Sequence, residues 1–509
     1  MWMSKLRKWA FMKSLVSSLS VAAMALAAAV VPAQAGASTE GPMAGGDALQ
    51  WASCGIDAYP SLECAKLRVP LDRSDPDGRT IALTISRAAA TGGGKARRTL
   101  LVNPGGPGGS GVAFAGQVAA ALDPEVRRTY DVIGFDPRGS FRSEPSMSCQ
   151  PEYFKGPRPD FKVRNAAEVQ DWLDRTSSYS AACGEAYGEY LPHMRSEDTV
   201  ADMERIRTAL GVDKVAYYGF SYGTFLGAVY ATLHPESLDR LVLDGVLGPE
   251  GLDYGQQFRQ DRGFEEGLQA FFRWVARHDD VYGLGDTPDA VREQFYGLRS
   301  RIAEHPALDG TFGPSEFDVT YQGTSREADA WPDLARAVAD TLHSGDQQVL
   351  QEVFAKFGPP QTSDAFYAPL NAVRCTDNQW PRDARTYLRD AARSNRTAPF
   401  ASWNNMWFSA TCMSWPVPGG PAPKVEARPG APEALMLNAD HDPATPLDRA
   451  RAMHEVLPSR LVTETGSWRH GVALKHHESC VDDLLNAYLA TGELPDRDVS
   501  CPAEPLPTP

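Results

Sequence analysis

The sequence predicts an α/β fold, with a central, mainly parallel sheet and an inserted, mostly helical cap. Short apolar runs alternate with helical patterns from about residue 67 to residue 244. From 249 to about 369 this alternation is missing, and amphipathic helical patterns follow one another. The alternation resumes at residue 434 and continues to residue 489. Because strands that alternate with helices form parallel sheets, the two alternating parts are expected to build one sheet around the insertion.

The elements before the insertion follow from apolar runs and helical spacing. Strands are predicted at 67–70, 80–86, 99–102, 130–135, 215–218 and 241–244. A helix is predicted over 198–210, because Val200, Met203, Ile206 and Leu210 recur at helical spacing and Gly211 follows them. A second helical run covers 224–234 and directly follows the strand at 215–218.

The rest of the chain divides into an insertion and a second alternating part. Amphipathic helices are predicted over 258–278 and 329–357, and a proline-rich linker over 416–432 leads back to the core. Strands follow at 434–437 and 461–465, and helices at 447–457 and 479–489. The proline-rich tail after Cys501 is predicted to be disordered. The predicted organisation is a signal peptide (1–35), a core (36–248), a helical cap with its return linker (249–430, the cap segment) and a second core part (431–509).

The N-terminal residues have the pattern of an export signal. A basic start is followed by an apolar stretch over 15–31, and Ala33-Gln34-Ala35 has the small residues of a cleavage site. An uncleaved membrane anchor is the alternative, since the apolar stretch is near spanning length. The pattern predicts a secreted, extracellular protein that is not membrane-bound after cleavage. The formal net charge of −15 makes nucleic acids and anionic membrane surfaces poor partners.

Eight cysteines in an exported chain favour disulfides. Many pairings are open to eight cysteines, and neighbours in sequence are the arrangement we predict. The predicted pairs are Cys54 with Cys64, Cys149 with Cys183, Cys375 with Cys412, and Cys480 with Cys501. Zinc is the rival interpretation, but neither C-x-x-C nor H-E-x-x-H occurs, so no metal and no cofactor are predicted.

Five residues, Gly219-Phe220-Ser221-Tyr222-Gly223, carry the strongest functional signal. They join a predicted strand to a predicted helix, which is the context of the nucleophile elbow in α/β-hydrolases. Glycines flank the serine because the turn is too tight for side chains there. The sequence therefore predicts Ser221 as a catalytic nucleophile, against the alternative of a structural glycine-rich turn.

A serine nucleophile needs a base, and the base needs an orienting carboxylate, in the chain order Ser, Asp, His. The strand at 434–437 runs into a loop with two aspartates, Asp440 and Asp442, and we favour Asp442, which precedes a proline. The strand at 461–465 runs into a loop that contains His470, which is the predicted base. His476 and His477 are the rival histidines.

Acyl transfer also requires donors for the oxyanion. One predicted donor is the backbone N–H of Tyr222, directly after the nucleophile. The other is the backbone N–H of Gly106, in the glycine-rich loop after the strand at 99–102. A phosphate-binding loop is the rival interpretation of this segment, but the segment lacks the G-K-[ST] ending of such a loop.

The motifs together resemble those of the secreted bacterial tripeptidyl aminopeptidases, relatives of prolyl iminopeptidase within the α/β-hydrolases. The matching segments are NPGGPGGSG at 103–111, GFDPRG at 134–139, GFSYGT at 219–224, DHDPATP at 440–446 and HG at 470–471. In the family pattern the acid is the second aspartate of D-x-D-P and the base is the histidine before glycine. The resemblance therefore supports Asp442 and His470, and it matches Gly106 to the second glycine of G-G-P-G.

The resemblance implies a serine exopeptidase that removes short peptides, often tripeptides, from free N-termini through an acyl-enzyme. The cap would supply acidic side chains for the substrate's amine, and Glu250, Asp253, Asp261 and Glu265 are candidates beside the alternative of a solvated helix face. A secreted carboxylic-ester hydrolase with the same Ser-Asp-His residues is the closest rival function. A catalytically silent binding protein on the same fold is the rival of a different class.

Overall fold

A ten-stranded sheet forms the centre of the molecule. The computed structural model describes residues 49–93, 98–358, 363–475 and 479–509, and these belong to one compact unit, Gly45–Pro509. The predicted signal peptide, the segment 36–48 and the rival histidines His476 and His477 lie outside the described residues. The strands are β1 (Ala52–Ser53), β2 (Glu63–Pro70), β3 (Thr80–Ala88), β4 (Arg98–Asn103), β5 (Tyr130–Phe135), β6 (Val215–Phe220), β7 (Leu238–Asp244), β8 (Ala434–Ala439), β9 (Ser459–Thr465) and β10 (Val499–Pro502).

The helices fall into two groups along the chain. Those that flank the sheet or precede the insertion are α1 (Gly111–Ala121), α2 (Pro124–Thr129), α3 (Ala166–Tyr187), α4 (Ser196–Ala209) and α5 (Tyr222–Leu233). Those of the insertion are α6 (Gln256–Ala276), α7 (Asp279–Tyr282), α8 (Pro288–Glu304), α9 (Ala307–Gly310), α10 (Pro314–Tyr321), α11 (Gly323–Arg326), α12 (Trp331–His343), α13 (Gln348–Phe357), α14 (Asp364–Asp377), α15 (Ala384–Ser394) and α16 (Ser402–Ser409). The chain then forms α17 (Leu447–Val456) and α18 (Cys480–Thr491). Short 3₁₀ helices occur at Leu191–His193, Pro235–Ser237, Ala328–Ala330 and Ala410–Ser414.

The sheet is mainly parallel, as predicted. Its strand order is β1-β2-β3-β5-β4-β6-β7-β8-β9-β10. The pairs from β5 to β10 are parallel, and the pairs among β1, β2, β3 and β5 are antiparallel. The strands before and after the insertion meet where β7 pairs with β8. The insertion therefore leaves the sheet at the carboxyl end of β7, and the chain re-enters the sheet at the amino end of the neighbouring strand β8.

Helices cover both faces of the sheet. Successive side chains along a strand point to opposite faces, so apolar residues in a row need cover on both sides. In β4, Leu101 packs with residues of α4 and α5, whereas its neighbours Leu100 and Val102 pack with α1 and α18. The central strands are accordingly buried along almost their whole length. Since the carboxyl ends of parallel strands share one edge, the loops after β4, β6, β8 and β9 are brought together there.

The described residues between β7 and β8 form helices with their own apolar cores. The prediction of one helix over 329–357 is wrong in its middle. The chain turns between α12 and α13, where Gly345 has a φ of +76° and the Ser344 hydroxyl accepts a hydrogen bond from the Asp346 amide. The domain boundaries given above stay predictions.

The C-terminal tail is not disordered, so that prediction is wrong. β10 pairs with β9, and the Ala503 amide donates to the Thr465 carbonyl at 2.9 Å. Beyond it, Leu506 packs against the cap segment's core, and the Pro507 carbonyl accepts a hydrogen bond of 3.0 Å from the Trp274 indole. These contacts join the last residues of the chain to the insertion.

The eight cysteines lie at bonding distance in four pairs: Cys54–Cys64, Cys149–Cys183, Cys375–Cys412 and Cys480–Cys501. Each pair joins neighbours in sequence, which is the arrangement predicted above. Cys480 and Cys501 connect the start of α18 to β10. Across the described part of the chain, no helix is both long and apolar enough to cross a bilayer.

Candidate active site

Ser221 lies in the tight turn between β6 and α5. Its backbone has φ +58° and ψ −124°, a strained conformation for a residue other than glycine. A Cβ atom on Gly219 would lie 2.3 Å from the Gly223 carbonyl oxygen, and one on Gly223 would lie 2.5 Å from the Asn103 carbonyl oxygen. Both positions therefore require glycine because backbone approaches them. The Ser221 amide donates to the carbonyl of Asp244 at 2.9 Å, which fixes the turn to β7.

The glycine-rich loop after β4 lies directly against this turn. Gly105 has a φ of +81°, and a Cβ atom there would lie 2.8 Å from the Tyr222 amide nitrogen. Gly106 also has a positive φ, of +113°. Among the described residues, neither the Gly106 amide nor the Tyr222 amide is bonded to a protein acceptor. The structure thus brings together the two segments that hold the predicted oxyanion donors.

Asp442 is buried, and its carboxylate is held by several donors. It accepts hydrogen bonds from the amides of Ala444 (2.9 Å) and Thr445 (2.8 Å) and from the Thr445 hydroxyl (2.8 Å). The Nδ1 atom of His470 lies 2.9 and 3.0 Å from its two oxygens. Since the local donors fix both oxygens, the carboxylate can orient the imidazole ring and select the tautomer with a proton on Nδ1.

Asp440 has a different position from Asp442. Its two oxygens accept hydrogen bonds from the amides of Gly466 (2.7 Å) and Ser467 (3.0 Å), at the start of the loop that leads to His470. The neighbouring His441 ring stacks on Trp468 with centroids 3.9 Å apart. Asp440 and His441 therefore brace the histidine loop and do not contact the His470 ring.

His470 is packed between the elbow and the cap segment. Its ring lies against Phe220, with centroids 4.8 Å apart, and its backbone amide donates to the Arg326 carbonyl at 2.9 Å. Ser221 and His470 line the same cavity, although no hydrogen bond joins their side chains in this conformation. Catalytic hydrogen bonds are often long without substrate and shorten when it binds, so the absence of this bond does not exclude proton transfer.

Asp244, at the end of β7, was not singled out from the sequence. Its buried carboxylate accepts hydrogen bonds from the amides of Val472 (2.9 Å) and Ala473 (3.1 Å) and from the Tyr218 hydroxyl (2.9 Å). Its carbonyl accepts the Ser221 amide, as described above. Asp244 therefore ties the elbow to the residues that follow His470. The sequence signal that could have identified it is an aspartate at the end of an otherwise apolar strand.

Burial raises the pKa of Asp244 to about 6, well above the ordinary value for an aspartate. The folded state therefore favours the neutral form of Asp244. The contribution of this form to the free energy of unfolding is complete below about pH 4 and is lost as the pH rises through about 6. A shift of two units corresponds to about 3 kcal/mol. Because Asn does not titrate, we expect the stability advantage of wild type over Asp244→Asn to shrink by up to that amount between pH 4 and pH 7.5. Urea unfolding at both pH values measures this difference, and an advantage that does not change with pH would refute the assignment.

One cavity of about 380 Å³ opens beside Ser221, within the size range of small-ligand sites. We call it the elbow cavity, and Gly106, Ser221 and His470 lie on its core side. Its cap side is rich in carboxamides: Gln256, Gln257, Gln260, Gln322, Asn404 and Asn405. Gln256 and Gln260 both donate to the Ala444 carbonyl, at 3.0 and 2.9 Å, and so fasten α6 to the Asp442 loop.

Of the four acidic residues considered for binding an amine, Asp253 lines the elbow cavity, and it is paired with Arg259. Glu250 pairs with Arg449 at 3.3 Å. The Asp261 carboxylate accepts hydrogen bonds from Ser394 and Asn405, and burial raises its pKa to about 6. Glu265 accepts the Phe400 amide at 3.0 Å. Within the described residues, no group of three or more His, Cys, Asp or Glu side chains could hold a metal ion.

The parallel sheet, the strained serine turn between β6 and α5 and the Asp and His loops after β8 and β9 define an α/β-hydrolase. Residues 398–501 match the family described as TAP-like protein. The chain is 36% identical to the tripeptidyl aminopeptidase of Streptomyces lividans, over 91% of this chain and 88% of that protein. It is 28% identical to the serine protease Hip1 of Mycobacterium bovis, over 90% and 91% of the two chains. It is also 28% identical to carboxylesterase B of Mycobacterium tuberculosis, over 96% of each chain.

The chain therefore belongs to the tripeptidyl aminopeptidase family. It is a serine hydrolase, and its relatives indicate that it acts as a peptidase.

Proposed function

We propose that the protein is a secreted serine exopeptidase that releases tripeptides from the free N-termini of peptides through an acyl-enzyme. The observation that carries the proposal is the His470–Asp442 pair, 2.9 Å apart, in a cavity that His470 shares with Ser221. The 36% identity to a tripeptidyl aminopeptidase supports the length of the released peptide. The export pattern in residues 1–35 and the four cysteine pairs support secretion.

In the proposed mechanism, the Ser221 oxygen attacks the carbonyl carbon of the third residue, and the serine proton passes to Nε2 of His470. Asp442 holds the ring and stabilises the imidazolium that forms. The amides of Gly106 and Tyr222 donate to the oxyanion. His470 then gives the proton to the leaving amine as the C–N bond breaks, which leaves the tripeptide esterified to Ser221. A water molecule attacks this ester while His470 takes its proton. His470 then returns the proton to the Ser221 oxygen as the ester bond breaks, and the tripeptide departs as a free acid.

Asp253 is the proposed partner of the substrate's ammonium group. It is the carboxylate that lines the elbow cavity among the described residues, and its side chain is about one-third exposed. The pair that it forms with Arg259 leaves the second carboxylate oxygen for a ligand. This arrangement would make activity depend on a free, charged N-terminus.

The proposed dependence on the amine is tested with a matched pair of chromogenic substrates. We expect a tripeptide p-nitroanilide with a free N-terminus to be hydrolysed, and its N-acetylated form to lose at least about 90% of kcat/KM. The reason is that acetylation removes the charge that pairs with Asp253, and an ionic hydrogen bond contributes roughly 1.5–3 kcal/mol.

A second candidate function is carboxylic-ester hydrolysis by the same three residues, favoured by the identity to carboxylesterase B. Equal hydrolysis of the free and the acetylated tripeptide, together with faster turnover of simple esters, would favour this second function over the first.

A further inference from the structure

The elbow cavity is lined by more positive than negative side chains. Three arginines, Arg158, Arg326 and Arg374, lie on its wall, and of these Arg158 is paired with Glu316 at 2.7 Å. Asp253 is the carboxylate of the described lining, and it is paired with Arg259. The protein as a whole has a net charge of −15, so this concentration of guanidinium groups opposes the overall charge. A cavity of this kind favours an anionic group in its ligand.

Arg374 differs from the other buried arginines of the described chain. Six arginines of the described chain are buried, and five of them lie within 4.0 Å of a carboxylate. These pairs are Arg138 with Asp202, Arg158 with Glu316, Arg240 with Asp239, Arg299 with Asp160 and Asp318, and Arg469 with Asp329. Arg374 is 6% exposed and has no carboxylate at that distance among the described residues. Burial of a charge without a counter-charge is costly, so an unpaired guanidinium in a ligand cavity requires an explanation.

The protein partners of Arg374 are all neutral. Its guanidinium donates to the Asn371 amide oxygen at 2.9 and 2.5 Å, to the Phe408 carbonyl and weakly to the Ser409 hydroxyl at 3.4 Å. The rings of Phe408 and Trp380 lie 4.9 and 5.8 Å from its central carbon. The nearby carboxylate of the same helix, Asp377, is bonded to Ser196 instead. These contacts fix the orientation of Arg374, but they bring no negative charge.

Other buried polar atoms on the same wall lack a hydrogen-bond partner among the described residues. They are the donors Gln322 Nε2, Gln257 Nε2 and Arg158 Nη2 and the acceptor Gln257 Oε1, and all three residues line the elbow cavity. Each of these side chains is at least 94% buried. Unpartnered buried donors in a ligand cavity are expected to bond to the ligand. A carboxylate can accept several such hydrogen bonds at once, whereas a second cation cannot.

We propose that the elbow cavity selects peptides with a glutamate or aspartate in the released segment, and that Arg374 neutralises this carboxylate. The inference rests on the proposed function, since it concerns the peptide segment that becomes the acyl group. Arg374 suits this role because guanidinium groups form strong, directional pairs with carboxylates. Among the described residues, no carboxylate lies within ion-pair distance of Arg374, so its removal leaves none without its partner. Removal of Arg158, by contrast, would leave Glu316 without its ion-pair partner.

The test compares glutamate with glutamine, which have nearly the same shape, in free tripeptide p-nitroanilides. The probe residue is placed in turn at the first, second and third position, with alanine at the others. We expect wild type to prefer Glu over Gln by at least about tenfold in kcat/KM at one of the three positions, the ratio given by about 1.4 kcal/mol. Because each ratio compares two substrates on one enzyme sample, incomplete folding cancels.

Arg374→Gln is expected to reduce this preference to less than about twofold, while the glutamine substrates keep a rate within a few-fold of wild type. Arg374→Lys retains the charge and is expected to keep part of the preference. Arg292→Gln removes a surface charge from α8 and should leave the preference unchanged.

Hydrolysis of both series by wild type without a glutamate preference would overturn the inference and leave the proposed function standing. A preference that survives in Arg374→Gln would also overturn it. Failure of wild type to hydrolyse any member of either series would overturn the proposed function, and this inference with it.

Discussion

Replacement of Ser221 by alanine is expected to lower kcat/KM for tripeptide p-nitroanilides by at least about 10⁴-fold. Without the hydroxyl no acyl-enzyme can form, and only the oxyanion donors and substrate binding remain to assist water. Thermal unfolding should stay close to that of wild type, because Ser and Ala have similar conformational strain at the φ of +58° and the Ser221 amide still bonds to Asp244.

A fluorophosphonate probe provides an independent readout of the same change. It should label wild type at one site and leave Ser221→Ala unlabelled, since the reagent reacts with an activated serine. Retained hydrolysis in Ser221→Ala, or equal labelling of the two proteins, would remove Ser221 from the mechanism.

The second large effect is expected from Asp442→Asn. The amide keeps the size of the carboxylate, but it favours the wrong tautomer of His470. It also places an NH₂ group, which is a donor, against groups that in wild type donate to a carboxylate oxygen. The loss in kcat is expected to approach about 10⁴-fold, as for the corresponding change in other serine peptidases.

Asp440→Asn is the matched control for this change. Asp440 accepts two backbone amides of the histidine loop and does not contact the His470 ring, so its replacement should cost less than about tenfold in kcat. The two variants change neighbouring residues in the same way. A greater loss in Asp440→Asn than in Asp442→Asn would reverse the assignment of the two aspartates.

The parts of the fold that the sequence predicted are those with a strong local pattern. β4, β5, β6 and β8 are short apolar runs because both faces of a central strand are buried, and such runs stand out without any tertiary information. The Ser221 turn could be recognised because two glycines mark it in the sequence. Each is required by a backbone contact, one with a residue a few positions away and the other with the adjacent loop.

The parts that were missed depend on contacts between distant residues. α3 buries five residues on one face: Trp172, Thr176, Tyr179, Ser180 and Cys183. Since three of the five carry a hydroxyl group, the helical period of apolar residues was hidden. The C-terminal tail has a composition typical of disorder. It is ordered by single long-range contacts, such as the Trp274–Pro507 hydrogen bond, that composition does not reveal.

Within the candidate site, the sequence predicted the order of the three reactive residues. For the acid it favoured Asp442 without excluding the neighbouring Asp440. The distinction depends on which carboxylate faces His470, and this is set by the Thr445 hydroxyl and by two backbone amides. The cap wall could not be predicted either. Arg374 belongs to the elbow cavity only because α14 packs close to the glycine-rich loop, where Gly108 approaches Pro369.

Removal of tripeptides from free N-termini can be followed directly by mass spectrometry of the products. Purified wild-type protein is incubated with a mixed pool of peptides, half of them N-acetylated, and the products are followed over time. We expect a ladder in which free peptides lose three residues at a time and acetylated peptides stay intact. Loss of single residues, internal cleavage, or equal cleavage of the acetylated peptides would contradict it.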